Sequence, residues 1–132
     1  MLLQKVEQGL TDVNVAYNPN YVVALQVDAD GVVWVGTWGG GLSRFDGENW
    51  KTYTVDDGLP SNHVFMLHID PSGRLWAGTS DGLVLKTGEN FRLFTRNDGL
   101  LSDTVFSMVN SSDGMAWVGS YGGVARIQGL GD

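Results

Sequence analysis

Read for its alternation of apolar and polar positions, the chain shows short runs of four to six residues, none with the i, i+3, i+4, i+7 spacing of an amphipathic helix. The runs VVALQV (22–27), VFMLHI (64–69) and VFSMVN (105–110) are almost continuously apolar. Such runs predict strands buried on both faces. Between them lie Gly, Asp, Asn and Ser clusters that predict tight turns. The remaining runs carry tryptophan (VWVGT, LWAGT, AWVGS), open on glycine (GLSRF, GLVLK, GVARI), or mix aromatic and polar residues (WKTYTV, FRLFTR).

These runs recur in a fixed order. Trp34, Trp76 and Trp117 occupy the same place in three units at spacings of 42 and 41 residues. Gly31, Gly73 and Gly114 stand three residues before them, and DAD, DPS and SSD precede those glycines. DDGL at 56–59 returns as NDGL at 97–100. Each unit reads as four strands, a to d, at a period near 42, the pattern of a β-propeller blade. The expected fold is therefore all-β: a β-propeller of four-stranded antiparallel blades, three to a chain.

The unit boundaries predict blade 1 at 11–55, blade 2 at 56–97 and blade 3 at 98–132, the last without its outer strand. Residues 1–10, MLLQKVEQGL, align with FRLFTRNDGL and are expected to supply that strand, in a partner chain. Three blades cannot close a ring, since propellers typically have about four to eight. A two-fold homodimer closing one six-bladed ring is expected, in preference to a trimer of nine blades.

Composition narrows the partners. The net charge of −7, from 15 acidic and 8 basic residues, disfavours nucleic acid and anionic membranes. No cysteine is present, which removes disulfides, thiolate catalysis and Cys-based zinc. No apolar run is long enough to span a membrane, and the first ten residues lack the pattern of a secretory signal. The compartment stays open. No cofactor or metal is implied.

The stretch DGVVWVGTWGGGLSRFDGENWKTYTVDDGLPSNHVFMLHIDPSGRLWAGTSDGL resembles the two-component-regulator propeller repeat. That repeat runs as Asp-x-x-Gly-x-Leu-Trp-hydrophobic-Gly-Thr, then Gly-Gly-Leu, an aromatic strand and Asp-Gly-Leu-Pro-Ser-Asn. The resemblance covers residues 18–128. It implies a β-propeller of the kind found in periplasmic or extracellular sensor regions of bacterial hybrid histidine kinases, many of which are thought to sense oligosaccharides.

Propeller geometry puts the b–c and d–a loops on one face. That face would carry Trp38, Asp81, Tyr121, Asn62, His63, Asp57 and Asp98, with Tyr17 and Asn18 from a longer loop. Aromatic platforms beside carboxylates and amides suit sugars, so these are the candidate ligand-binding residues for an oligosaccharide or small molecule. For Asp57 and Asp98 a plain turn role competes. Trp34, Trp76 and Trp117 are expected in the blade cores. GTWGGG lacks the Lys-Ser/Thr of a phosphate loop, and DADG lacks the later ligands of a calcium loop, so both read as turns. The expected function is a non-catalytic, self-assembling binding or sensor module. The alternatives are a purely structural or engineered propeller fragment, and a propeller lyase or hydrolase using His63 or His68, the latter facing the central channel.

Overall fold

The computed structural model describes residues 21–128. They form three antiparallel sheets in which strands adjacent in sequence are adjacent in space. The first sheet comprises β1 (Val22–Val27), β2 (Val33–Thr37), β3 (Leu42–Phe45) and β4 (Trp50–Tyr53). The second comprises β5 (Val64–Ile69), β6 (Leu75–Thr79), β7 (Gly82–Thr87) and β8 (Asn90–Phe94). The third comprises β9 (Val105–Asn110), β10 (Ala116–Ser120) and β11 (Gly123–Ile127). The chain is thus all-β, as its periodicity predicts, with the a, b, c and d strands in the expected order. The expected strand within 1–10 lies outside the described residues, as do Tyr17 and Asn18.

The turns follow from side-chain chemistry. Asp28 Oδ1 accepts the backbone N–H groups of Asp30 and Val32, and Asp70 Oδ1 accepts those of Ser72 and Arg74. Gly31, Gly73 and Gly114 close these turns at φ of 83°, 84° and 85°, a left-handed conformation that favours glycine. The d strands end earlier than the apolar pattern suggests. Thr54 and Thr95 leave the sheet and cap one-turn 3₁₀ helices at Val55–Asp57 and Arg96–Asp98. In each, the threonine side chain and an aspartate three residues on satisfy one another's backbone N–H groups, a capping box.

Two cores form between the sheets. Trp34, Leu42 and Tyr53 of the first sheet pack on Val64, Leu67, Ala77 and Val84 of the second. The opposite face of the second sheet, with Met66, Trp76, Leu83 and Leu85, packs on Val105, Met108, Ala116 and Val118 of the third. Each of the Val, Leu and Met side chains among them contributes about 1.5–3 kcal/mol by leaving water. The middle sheet is therefore covered on both faces. The expectation that every a strand is buried on both faces fails for β1 and β9, where Val22, Leu25, Val27, Phe106 and Val109 are exposed. An apolar strand is buried twice only where a sheet lies on each side of it.

The sheets approach closely at strand b. A Cβ placed on Gly36 would lie 3.0 Å from Val64 Cγ1, and one on Gly78 would lie 2.6 Å from the Val105 carbonyl oxygen. These glycines serve the packing of sheets, a role distinct from turn formation.

Candidate ligand-binding face

The site begins with a break in the strand ladder. In β1, β5 and β9 the register shifts by one residue, passing over Val23, Phe65 and Phe106. A bulge re-aims the extra side chain out of the pleat. Phe65 and Phe106 accordingly leave the packed faces at the end of the sheets where the b–c and d–a loops emerge. Their ring centroids lie 5.3 Å apart, and Trp38 lies 5.2 Å beyond Phe65. Trp38 also packs on His63, with centroids 5.1 Å apart. The result is an aromatic run, Trp38–Phe65–Phe106, crossing three sheets, exposed at both ends and half-buried in the middle.

Trp38 is held by its loop. The Thr37 hydroxyl donates to the Gly41 carbonyl at 2.9 Å and accepts the Gly40 N–H at 3.0 Å. The Trp38 N–H donates to the Tyr21 carbonyl. The N–H groups of Gly39 and Gly41 both donate to the Asn62 carbonyl, at 3.1 and 2.9 Å. Trp38 thereby forms a β-bridge with His63 of the next sheet. The Asn62 side chain accepts the Val55 N–H at 2.9 Å. Of the residues nominated by sequence, Trp38, Asn62 and His63 come together here.

The others stand apart from the run. Asp57 and Asp98 are exposed, and each accepts a backbone N–H of its capping box, from Thr54 at 2.9 Å and Thr95 at 2.8 Å. Asp81 is exposed, its N–H donating to Thr79 Oγ1. Tyr121, in the position of Trp38, has an exposed ring without a ring partner among the described residues. Trp34 and Trp76 are buried, and Trp117 is half-exposed on the outer face of the third sheet. A shallow hollow of about 630 Å³, lined by Thr95, Arg96, Asn97, Leu100, Leu101 and Asp103, lies on the loops before β9.

The leading carboxylates of the DAD and DPS turns, Asp28 and Asp70, are occupied. Trp34 Nε1–H donates to Asp28 Oδ2 at 3.1 Å, and Trp76 Nε1–H donates to Asp70 Oδ2 at 2.9 Å. Arg74 Nε donates to the same Asp70 oxygen at 2.7 Å. In the third unit Ser111 takes the place, accepting from Trp117 Nε1–H at 3.1 Å. Burial opposes ionisation of Asp70, but the donors from Trp76 and Arg74 outweigh it and hold the carboxyl below its ordinary range. Asp28 shifts the same way, burial again outweighed, chiefly by the Trp34 indole and the Val32 N–H. His68 Nε2 lies 2.6 Å from Asn110 Oδ1, joining the inner strands β5 and β9. The partner of Nε2 is thus an amide. Among the described residues, no group of three or more His, Cys, Asp or Glu side chains gathers as a metal site.

Sequence reading did not single out Phe65, Phe106 or Arg96. The pairing of Asp28, Asp70 and Ser111 with a tryptophan six residues later was visible as a constant spacing.

Two stretches of the chain, 16–39 and 58–81, match the two component regulator propeller family. No curated protein matches the chain in sequence. Among solved structures, the extracellular domain assigned to the hybrid two component system BT3049 of B. thetaiotaomicron is similar, with a TM-score of 0.76 and 23% identity. That match covers 94% of this chain and 18% of the other. The corresponding domain of BT4673 from B. thetaiotaomicron gives 0.71 at 22% identity, over 82% of this chain and 16% of that one. Virginiamycin B lyase of Staphylococcus aureus gives 0.63 at 17% identity, over 91% of this chain and 42% of the lyase. The chain thus spans less than a fifth of the length of the two sensor-system domains. These likenesses support the fold, and they join an all-β, propeller-like architecture to the regulator repeat.

Proposed function

We propose that this chain is a non-catalytic, sensor-type recognition module whose loop face binds an oligosaccharide or a similar flat, hydroxylated ligand. The observation that carries this reading is the Trp38–Phe65–Phe106 run. Exposed aromatic side chains at a bulge offer flat apolar surface of the kind that sugar rings stack against. Asn62 and His63, which the Trp38 loop holds beside the run, supply hydrogen-bonding groups at its margin. Kinship of the repeat to two component regulators is consistent with recognition rather than turnover, and the His68–Asn110 pair favours a structural histidine. In the same reading three-sheet chains join in pairs, each pair closing a six-bladed ring around the loop face.

A glycan array followed by titration calorimetry tests the site. Trp38→Ala and Phe106→Ala are expected to weaken binding at least tenfold each, a loss of one stacking platform. Tyr121→Ala asks whether that exposed ring adds a further platform. Wild-type affinity in both the Trp38 and Phe106 variants, or the absence of any glycan that binds, would overturn the reading.

A further inference from the structure

The chain builds the same sheet-to-sheet junction twice. At the first, Val64 of β5 seats over Gly36 of β2, and His63 stands against Trp38. At the second, Val105 of β9 seats over Gly78 of β6, and Thr104 Oγ1 donates to the Ser80 carbonyl at 3.4 Å. Each junction has a receiving half, the glycine of strand b and the residue two beyond it. Each has an inserting half, the first valine of strand a and the residue before it.

Both halves are present once more, without a mate among the described residues. On the third sheet Gly119 and Tyr121 repeat the receiving half. A Cβ at Gly119 would meet only Ser107 of its own sheet, whose Oγ at 2.4 Å has to rotate away, whereas those at Gly36 and Gly78 meet the next sheet. On the first sheet Tyr21 and Val22 repeat the inserting half. Val22 is 44% exposed, while its counterparts Val64 and Val105 are both 0% exposed. The surroundings match: Leu25 and Val27 are uncovered on one face, and Trp117 and Val124 on the other.

We infer that a second copy of this chain docks head to tail, with Val22 of one copy seated over Gly119 of the other and Tyr21 beside Tyr121. The two free faces are complementary because they are the halves of an interface that the chain already forms internally. A heterologous contact of this kind closes when the rotation per sheet completes a ring. The inference rests on the paired-chain reading above and names its contacts. It also changes the role of Tyr121, from a ligand platform to the third member of the series Trp38, Ser80, Tyr121 at the junction.

The chain has no cysteine, so introduced thiols report cleanly. Trp38 and His63 form a bridge, and Gly39 N–H donates to Asn62 O, which makes Trp38–His63 the non-hydrogen-bonded kind of pair. Such pairs have Cα atoms about 4.5 Å apart, within the range a disulfide spans. Tyr21→Cys with Tyr121→Cys in one chain is therefore expected to oxidise to a covalent dimer joined between positions 21 and 121, while either single variant stays non-covalent. Gly119→Ala is expected to raise the concentration of half-association roughly tenfold or more by overpacking the junction, with the fold retained. A dimeric wild-type chain whose double-cysteine variant does not crosslink and whose Gly119→Ala variant associates as tightly as wild type would overturn this junction and leave pairing intact. A wild-type chain that is monomeric would overturn the paired-chain reading itself.

Discussion

The second sheet and its two neighbours share a sequence pattern and differ in surroundings. Trp76 is 0% exposed and Trp34 is 6% exposed, but Trp117, at the same place in its unit, is 37% exposed. All three indoles keep their hydrogen bond to the turn six residues earlier. What differs is the next sheet, which covers Trp34 and Trp76 and is missing over Trp117 among the described residues. The unit therefore encodes two half-interfaces, and its core is completed by whatever lies beside it. Local turn chemistry is self-sufficient, whereas burial is shared between neighbours.

The tryptophans carry the largest of these differences. Trp76→Ala is expected to cost about 3–5 kcal/mol, enough to threaten folding, whereas Trp117→Ala should cost well under half of that in the isolated chain. Urea unfolding of dilute protein measures both, and equal losses would contradict the distinction between covered and uncovered faces.

The turn carboxylates come next in size. Asp70→Asn should cost about 2–3 kcal/mol, since a buried charge-assisted acceptor for Trp76 and Arg74 is lost, and Asp28→Asn about half as much at its more open site. Both carboxyls are held below their ordinary value of 3.8 in the folded chain. Their contribution is thus complete above that pH and is lost as pH falls through the depressed folded values. The Asp70→Asn variant should be weaker at pH 7 and show a shallower decline in acid. A steeper decline than wild type would contradict this sign.

Smaller effects belong to features that the units carry without help from neighbours. Thr54→Ala and Thr95→Ala should each cost about 1 kcal/mol by removing a cap, equally in the two loops and without change in glycan binding. Last, the pair Lys51–Glu89, at 2.7 Å, links the rims of the first and second sheets but is exposed on both sides. Glu89→Gln should leave the unfolding midpoint unchanged at ordinary salt, because exposed ion pairs are offset by solvent and side-chain entropy.

Strand order and most strand spans were legible because the repeat places Trp34, Trp76 and Trp117 in register and apolar runs mark each a strand. The capping boxes were also written in the sequence, as TVDD and TRND. The bulges were not. Phe65 and Phe106 sit in runs already apolar at every position, so displacement of one side chain leaves no trace in the pattern. The roles of Gly36 and Gly78 were hidden for a similar reason: nothing local distinguishes a glycine needed for a neighbour's approach from one needed for a turn. Of the candidate site, Trp38 and His63 could be found because a loop aromatic stands out, whereas the remainder of the run depended on register.

In the proposed dimer the uncovered faces of the first and third sheets are mates. Sedimentation velocity of the full chain across a hundredfold concentration range tests it most directly. A single species of twice the 14.3 kDa chain, about 28.6 kDa, is expected, persisting on dilution until the two junctions separate together. A monodisperse 14.3 kDa species at every concentration would contradict it.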